Sequence, residues 1–172
     1  MAPSAEPAPV IRPAAAKELP RLKEIVRRDW GSETVVSRGR LHRTADLSWL
    51  VAGPEQQWLG VAGYRLDGDE CELVVLEAFE RHRGTGTLLL DAVAGIARRA
   101  GARRLWLITT NDNTDGLRFY QRRGMRLARL WRDAVSEARR TLKPEIPPTG
   151  EFGIPITDEL ELEMILSEGD SE

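Results

Sequence analysis

Cysteine is almost missing from this chain: Cys71 stands alone among 172 residues, so no internal disulfide can form and no cysteine-based metal site can be built. Histidine is nearly as scarce, with only His42 and His82, far apart in sequence; no metal site is expected. An excess of one charge is missing too. The 25 basic and 27 acidic residues leave a formal net charge of −2, which offers no global field for nucleic acid or an anionic membrane. Lysine supplies only 3 of the basic residues, and that arginine bias fits a GC-rich coding background as well as it fits a binding role. No apolar run approaches the roughly 18 residues that span a bilayer. The opening stretch MAPSAEPAP has neither the basic nor the apolar region of a secretory signal. A cytoplasmic protein with no nucleic-acid or membrane partner is the expectation; nothing in the composition excludes a homodimer.

What is present reads as one soluble domain, with 41% apolar and 30% charged residues. Residues 1–7 and 168–172 read as a flexible lead-in and tail around a single domain at 8–167. A short strand is expected at 9–12. A helix follows over KELPRLKEIVRRDW, where Leu19, Leu22, Ile25, Val26 and Trp30 fall at helical spacing and Gly31 provides the stop. ETVVSRGRL is a short strand or connector. LSWLVAG, QWLGVAGYRL and CELVVLEAF, separated by turn compositions, predict three antiparallel strands. A helix is expected from 84 to 100 with Leu88, Leu89, Val93, Ile96 and Ala97 on one face, then a buried strand over 103–110, a short helix ending at Gly124, and two alternating strands, MRLARLW and DELELEMIL. In the last of these, Leu160, Leu162, Met164 and Leu166 share one face, and Glu159, Glu161 and Glu163 read as the solvated one. The pattern predicts an α/β (α+β) fold: a mixed, mostly antiparallel sheet with helices on both faces and one strand–helix–strand unit at its centre. Residues 133–157 form a long Pro/Gly-punctuated excursion. Its apolar Ile146, Phe152, Ile154 and Ile156 predict that it packs down, as an acceptor-side wall or a structural excursion.

Between the third strand of that series and its helix lies ERHRGTG. Glycines let consecutive N–H groups converge on an anion, and the following helix aims its positive end at the same point. The spacing fails for a P-loop, which needs GxxxxGK[ST]. It fails also for GxGxxG, because Leu89 occupies the last glycine position. What remains is R-x-x-G-x-G, filled by Arg81, Gly84 and Gly86. Alone it fits an ordinary strand-to-helix turn equally well.

A second segment follows the next strand: Asn113, Gly116, Phe119, Tyr120, Gly124 and Met125 sit in NTDGLRFYQRRGM. This resembles the N-x-x-A-x-x-[LF]-Y-[EQ]-[KR]-x-G-[FM] segment of the GNAT superfamily of N-acetyltransferases, and LEAFERHRGTGTLLL resembles that superfamily's acyl-coenzyme-A signature. The likeness covers residues 8–132, and the C-terminal part is similar to a bacterial subgroup of unassigned substrate. Gly116 departs from the usual alanine, Ala78 from a common proline, and Leu88 from a smaller residue.

The resemblance implies a GNAT-like three-layer fold with a βαβ acyl-CoA cleft, and acetyl-CoA as cosubstrate. It implies a pyrophosphate site on the backbone of Arg81, His82, Arg83, Gly84, Thr85 and Gly86. The pantetheine arm would pair with the strand edge at Val74, Val75 and Leu76, where one N–H polarises the thioester carbonyl. Asn113 would fix the loop or the cofactor arm, and Tyr120 would lie against the cofactor as acid or thiolate stabiliser. An amine acceptor also needs a base. Glu72 ranks first and Glu77 second; five residues apart on a regular strand they would point to opposite faces, unless a bulge intervenes. Cys71 and His82 are not expected to act by their side chains. The leading expectation is direct acetyl transfer to a primary amine in a ternary complex. A non-catalytic acyl-CoA sensor, or an interaction protein whose turn binds nothing, stays open.

Overall fold

The computed structural model describes residues 8–80 and 83–166. The lead-in 1–7, residue 167, the tail 168–172, Arg81 and His82 lie outside the described residues. Seven strands form the main sheet: β1 (Ile11–Pro13), β4 (Ser48–Ala52), β5 (Gly60–Asp67), β6 (Glu70–Ala78), β7 (Arg104–Thr110), β9 (Glu159–Ile165) and β8 (Arg126–Trp131), in that spatial order. All neighbours are antiparallel except β6 and β7. The connector ETVVSRGRL is a separate hairpin of β2 (Thr34–Ser37) and β3 (Arg40–Arg43).

Helix α1 (Leu19–Trp30) starts with a proline in its first turn and ends on Gly31 at φ 80°, a left-handed position that suits glycine. It buries Leu22, Ile25 and Val26 against Trp49, Val51, Val61 and Val75 on one face of the sheet. Helix α2 (Thr85–Arg99) buries Leu89, Leu90, Val93 and Ala97 against the other face, with Ala62, Leu73, Leu105 and Leu162. The expected face of α2 holds, although Leu88 and Ile96 are only half-buried at its margin. Helix α3 (Thr114–Arg122) adds Leu117, Phe119 and Tyr120 to this second core.

Two expectations are corrected. The glutamates of β9 are not a solvated face: Glu159 and Glu161 are 3% and 4% exposed. The Arg104 guanidinium ion-pairs with Glu161 and Glu163, Trp131 Nε1 donates to Glu161 at 2.8 Å, and the Arg38 N–H donates to Glu159 at 2.9 Å. Alternation along a strand cannot tell water from a covering layer; here the hairpin supplies one. In the excursion, helix α4 (Ala134–Thr141) and Ile156 do pack down, but Phe152 stays 74% exposed. Polar contacts hold the excursion instead of that aromatic anchor. Arg139 donates to the carbonyls of Ile146, Pro147 and Ile156 at 2.9, 2.9 and 2.6 Å, and the buried Lys143 reaches the carbonyl of Thr34.

Candidate functional site

The site begins where two parallel strands part. β6 and β7 pair only from Glu70↔Arg104 to Glu72↔Trp106, although both run several residues further. Beyond that point the β7-facing edge of β6 has no strand partner among the described residues, which leaves backbone polar groups available to an extended ligand. A bulge marks the parting. Opposite β5, Tyr64 pairs with Leu73 and Gly63 with Val75, so Val74 is an extra residue. The extra residue resets the alternation. Glu72 and Glu77 therefore share the α1 and hairpin face instead of opposing each other, and yet they line two different cavities.

The larger cavity, about 910 Å³, runs from the end of β6 past the start of α2 to α3. Gly84 enters α2 at φ 77°, and no side chain caps the helix. Its first-turn N–H groups, including Thr85 and Gly86, have no intrahelical acceptors and no side-chain cap among the described residues, the arrangement that suits an anion. Gly86 packs closely: a Cβ there would lie 3.2 Å from Phe119 Cζ, which would have to give by a few tenths of an ångström. Arg83 ion-pairs with Glu80 at 2.7 Å. Arg118 and Arg122, four apart on α3, also line this cavity. Their spacing was visible in LRFYQRRG, but the motif drew attention to the tyrosine instead.

Asn113 caps α3. Its Oδ1 accepts from the Gly116 N–H at 2.9 Å, while its Nδ2 donates to Thr109 Oγ1 at 2.8 Å. Both ends of the amide thus tie β7 to α3, and a Cβ on residue 116 would fall 2.3 Å from Nδ2. Of the two tasks expected of Asn113, the geometry supports fixing the loop. Tyr120 lines the same cavity with its ring edge-on to Phe119, centroids 5.2 Å apart. Burial pushes its phenol up to about 12. Val75 is buried and Val74 and Leu76 half-buried, so what these three offer at the cleft is chiefly backbone.

Glu77 sits near the C-terminal end of β6, in this larger cavity. Burial, with the hydrogen bond and negative charge of Asp29, pushes its carboxyl up to about 8. Its Oε2 is buried and accepts no hydrogen bond among the described residues, which is where a proton is tolerated. Arg28 bridges the pair, with 2.7 Å bonds to Asp29 and 3.2 Å to Glu77. The folded state therefore holds this proton more tightly than the unfolded chain. Stability from it is fully present below the ordinary carboxylate range and falls as pH rises toward 8. We expect the melting temperature to decline between pH 5 and 8, and Glu77→Gln to flatten that decline in a calorimetric pH series. An equal slope in the variant would refute the assignment.

Glu72 lies on the smaller cavity, about 340 Å³, at the apex of the parted strands. It is 3% exposed. Ser37 Oγ donates to its Oε1 and is 2.9 Å from His42 Nε2, which is itself 3.4 Å from the same carboxylate oxygen. With the serine hydroxyl donating to Glu72, the histidine nitrogen is left as the donor to Ser37. Sequence reasoning missed Ser37, His42, Arg38 and Trp106, because the hairpin reads as an ordinary connector until it is folded over β6. Cys71 is fully buried, and burial pushes its thiol up to about 12, so it offers no thiolate near neutrality.

No helix among the described residues is long and apolar enough to cross a membrane. Residues 12–125 match the model of the acetyltransferase (GNAT) family. The chain is 38% identical over 140 residues to the uncharacterized protein YdhI of Bacillus subtilis, covering 81% of this chain and 87% of that one. A GNAT family acetyltransferase from Elizabethkingia anophelis with acetyl-CoA bound has a TM-score of 0.69 at 20% identity, covering 94% of this chain and all of that one. A Bacillus subtilis acetyltransferase in complex with CoA has a TM-score of 0.67 at 20% identity, covering 92% and 99% of the two chains. With parted parallel strands, a glycine-led α2 and a family match across both, the chain belongs to the acetyltransferase (GNAT) family.

Proposed function

We propose that this protein transfers the acetyl group of acetyl-CoA to the primary amine of an acceptor by direct attack, both substrates bound together. The observation that carries this is the parting of β6 and β7 after Glu72↔Trp106, with the larger cavity beside the unpaired end of β6 and the smaller one beside Glu72. Acetyl-CoA fits the residues present. The uncapped first turn of α2 would hold the pyrophosphate, and Arg118 and Arg122 would add charge. The unpaired edge of β6 at Val74, Val75 and Leu76 would hold the pantetheine arm as a strand partner. The bound cosubstrate supplies a thioester, an acyl group on a good leaving group.

The chain's own groups then divide the work. A backbone N–H beside the Val74 bulge donates to the carbonyl oxygen as charge gathers there. The acceptor's ammonium loses one proton to solvent; the neutral amine nitrogen then bonds to the carbonyl carbon and gives up a second proton, for which Glu72, at the apex, is our candidate acceptor. The carbon–sulfur bond breaks, and the Tyr120 hydroxyl donates a hydrogen bond to the departing sulfur. Glu77, toward the phosphate end and paired with Asp29, is the second candidate and lies further from that point along β6. A single buried cysteine and an acetyl-CoA requirement are consistent with a cytoplasmic setting.

The test combines a thermal shift with acetyl-CoA and a thiol-release screen over amines. Stabilisation by acetyl-CoA together with amine-dependent thiol release is the expected result. No stabilisation at many times a plausible dissociation constant would sink the cofactor role.

A further inference from the structure

The smaller cavity bears on the acceptor. At its buried end stand Glu72, Ser37 and Trp106, and at its exposed end Arg40 and Asp69. The remaining lining charges are mostly engaged. Arg65 donates to Asp67 at 2.9 Å, and Glu70 pairs with Arg104 at 3.3 Å. Arg38 lies over Trp106 and Trp131, 4.9 Å from each ring centre. Among the described residues, Arg40 and Asp69 are the lining charges whose side chains make no hydrogen bond, ion pair or ring contact. The lining thus presents a buried carboxylate at one end and an uncommitted guanidinium at the other. Three arginines and four carboxylates line it in all, so a polycation would meet positive charge as well as negative. Its volume sits at the small end of ligand sites, which run from about 300 to 1,000 Å³.

Glu72 and Trp106 are also the last paired residues before the strands part. A group held beside Glu72 is therefore at the apex, where the edge of β6 first becomes free. Resting on the acetyltransferase reading above, we propose that this cavity is the acceptor site and that its acceptor class is a small zwitterionic amine. The amino group lies at Glu72, the stem against Trp106, and a single carboxylate meets Arg40. Asp69, on the same rim, opposes a second negative charge. Arg40 confers preference through a charge-assisted hydrogen bond that an uncharged analogue forms more weakly.

The test pairs each acid with its amide: glycine with glycinamide, β-alanine with β-alaninamide, and γ-aminobutyrate with its amide, with spermidine as a polycation. Thiol release from acetyl-CoA should favour at least one acid over its amide by about tenfold or more in kcat/KM. Arg40→Ala should bring that ratio near one by raising KM for the acid, with the acetyl-CoA thermal shift retained. Equal use of acids and amides, a preference for spermidine, or a ratio untouched by Arg40→Ala would overturn the proposal. The acids are also titrated against tryptophan emission, with Trp106→Phe as control, which reads the cavity whether or not transfer occurs. Saturable quenching by an acid that its amide does not match, lost in Trp106→Phe, supports the site; its absence removes it. Failure of the acetyltransferase reading shows separately, as loss of the acetyl-CoA thermal shift.

Discussion

Gly86→Val is expected to abolish stabilisation by acetyl-CoA while leaving the apoprotein folded. A thousandfold excess of ligand over its dissociation constant adds about 4 kcal/mol of stability, or roughly 8–16 °C for a domain of this size. That is the signal at risk. A Cβ at residue 86 would already meet Phe119 at 3.2 and 3.3 Å, and the branched valine adds bulk where the phosphates would approach the α2 N–H groups. The fold itself is less exposed to the change. Gly86 lies in a helix, where glycine is the poorer former, and Phe119 is only half-buried and able to shift. Apoprotein melting within a few degrees of wild type, combined with no response to acetyl-CoA, is the predicted pair of results. A full thermal shift in the variant would show that the turn holds no phosphate.

Tyr120→Phe should lower the rate of thiol release by about 10²–10³-fold, the usual cost of removing one preorganised donor from developing negative charge. Acetyl-CoA binding should be nearly unchanged, since the ring and its contact with Phe119 remain. The hydroxyl acts as a hydrogen-bond donor more than as a source of a fully transferred proton. A thiol near 8.5 facing a phenol pushed up to about 12 makes complete transfer uphill by roughly 5 kcal/mol. The raised value also predicts the pH profile: the phenol keeps its proton throughout the working range, so no loss of rate below about pH 10 should trace to Tyr120. A basic limb near pH 9 that disappears in Tyr120→Phe would contradict this. An unchanged rate would discard the role altogether.

Much of the fold was legible because it rests on local patterns. Periodicity located α1 through Leu22, Ile25 and Val26, and α2 through Leu89, Val93 and Ala97. Glycine punctuation marked Gly31, Gly84 and Gly124, all of which adopt positive φ. The two motifs around Gly84 and Asn113 were readable because each is one short segment whose backbone geometry depends on its own residues. The sequence also showed a strand–helix–strand unit between them, and β6, α2 and β7 form it.

The tertiary structure alone decided which carboxylate faces what. The strand pattern left Glu72 and Glu77 on opposite faces; the Val74 bulge puts them on one, since a single extra residue inverts every later side chain. Whether Glu159 and Glu161 meet water or protein depends on a hairpin more than a hundred residues earlier in the chain. The smaller cavity joins Ser37 and Arg40 of that hairpin to Glu72 of β6 and Trp106 of β7. Nothing in the composition of these segments encodes that meeting. Local propensity and spacing determined the elements and the glycine turn, and the resemblance of two short motifs pointed to the family. The long-range pairing of strands determined the surroundings of Glu72 and Glu77, because register and burial are properties of neighbours that the linear sequence keeps apart.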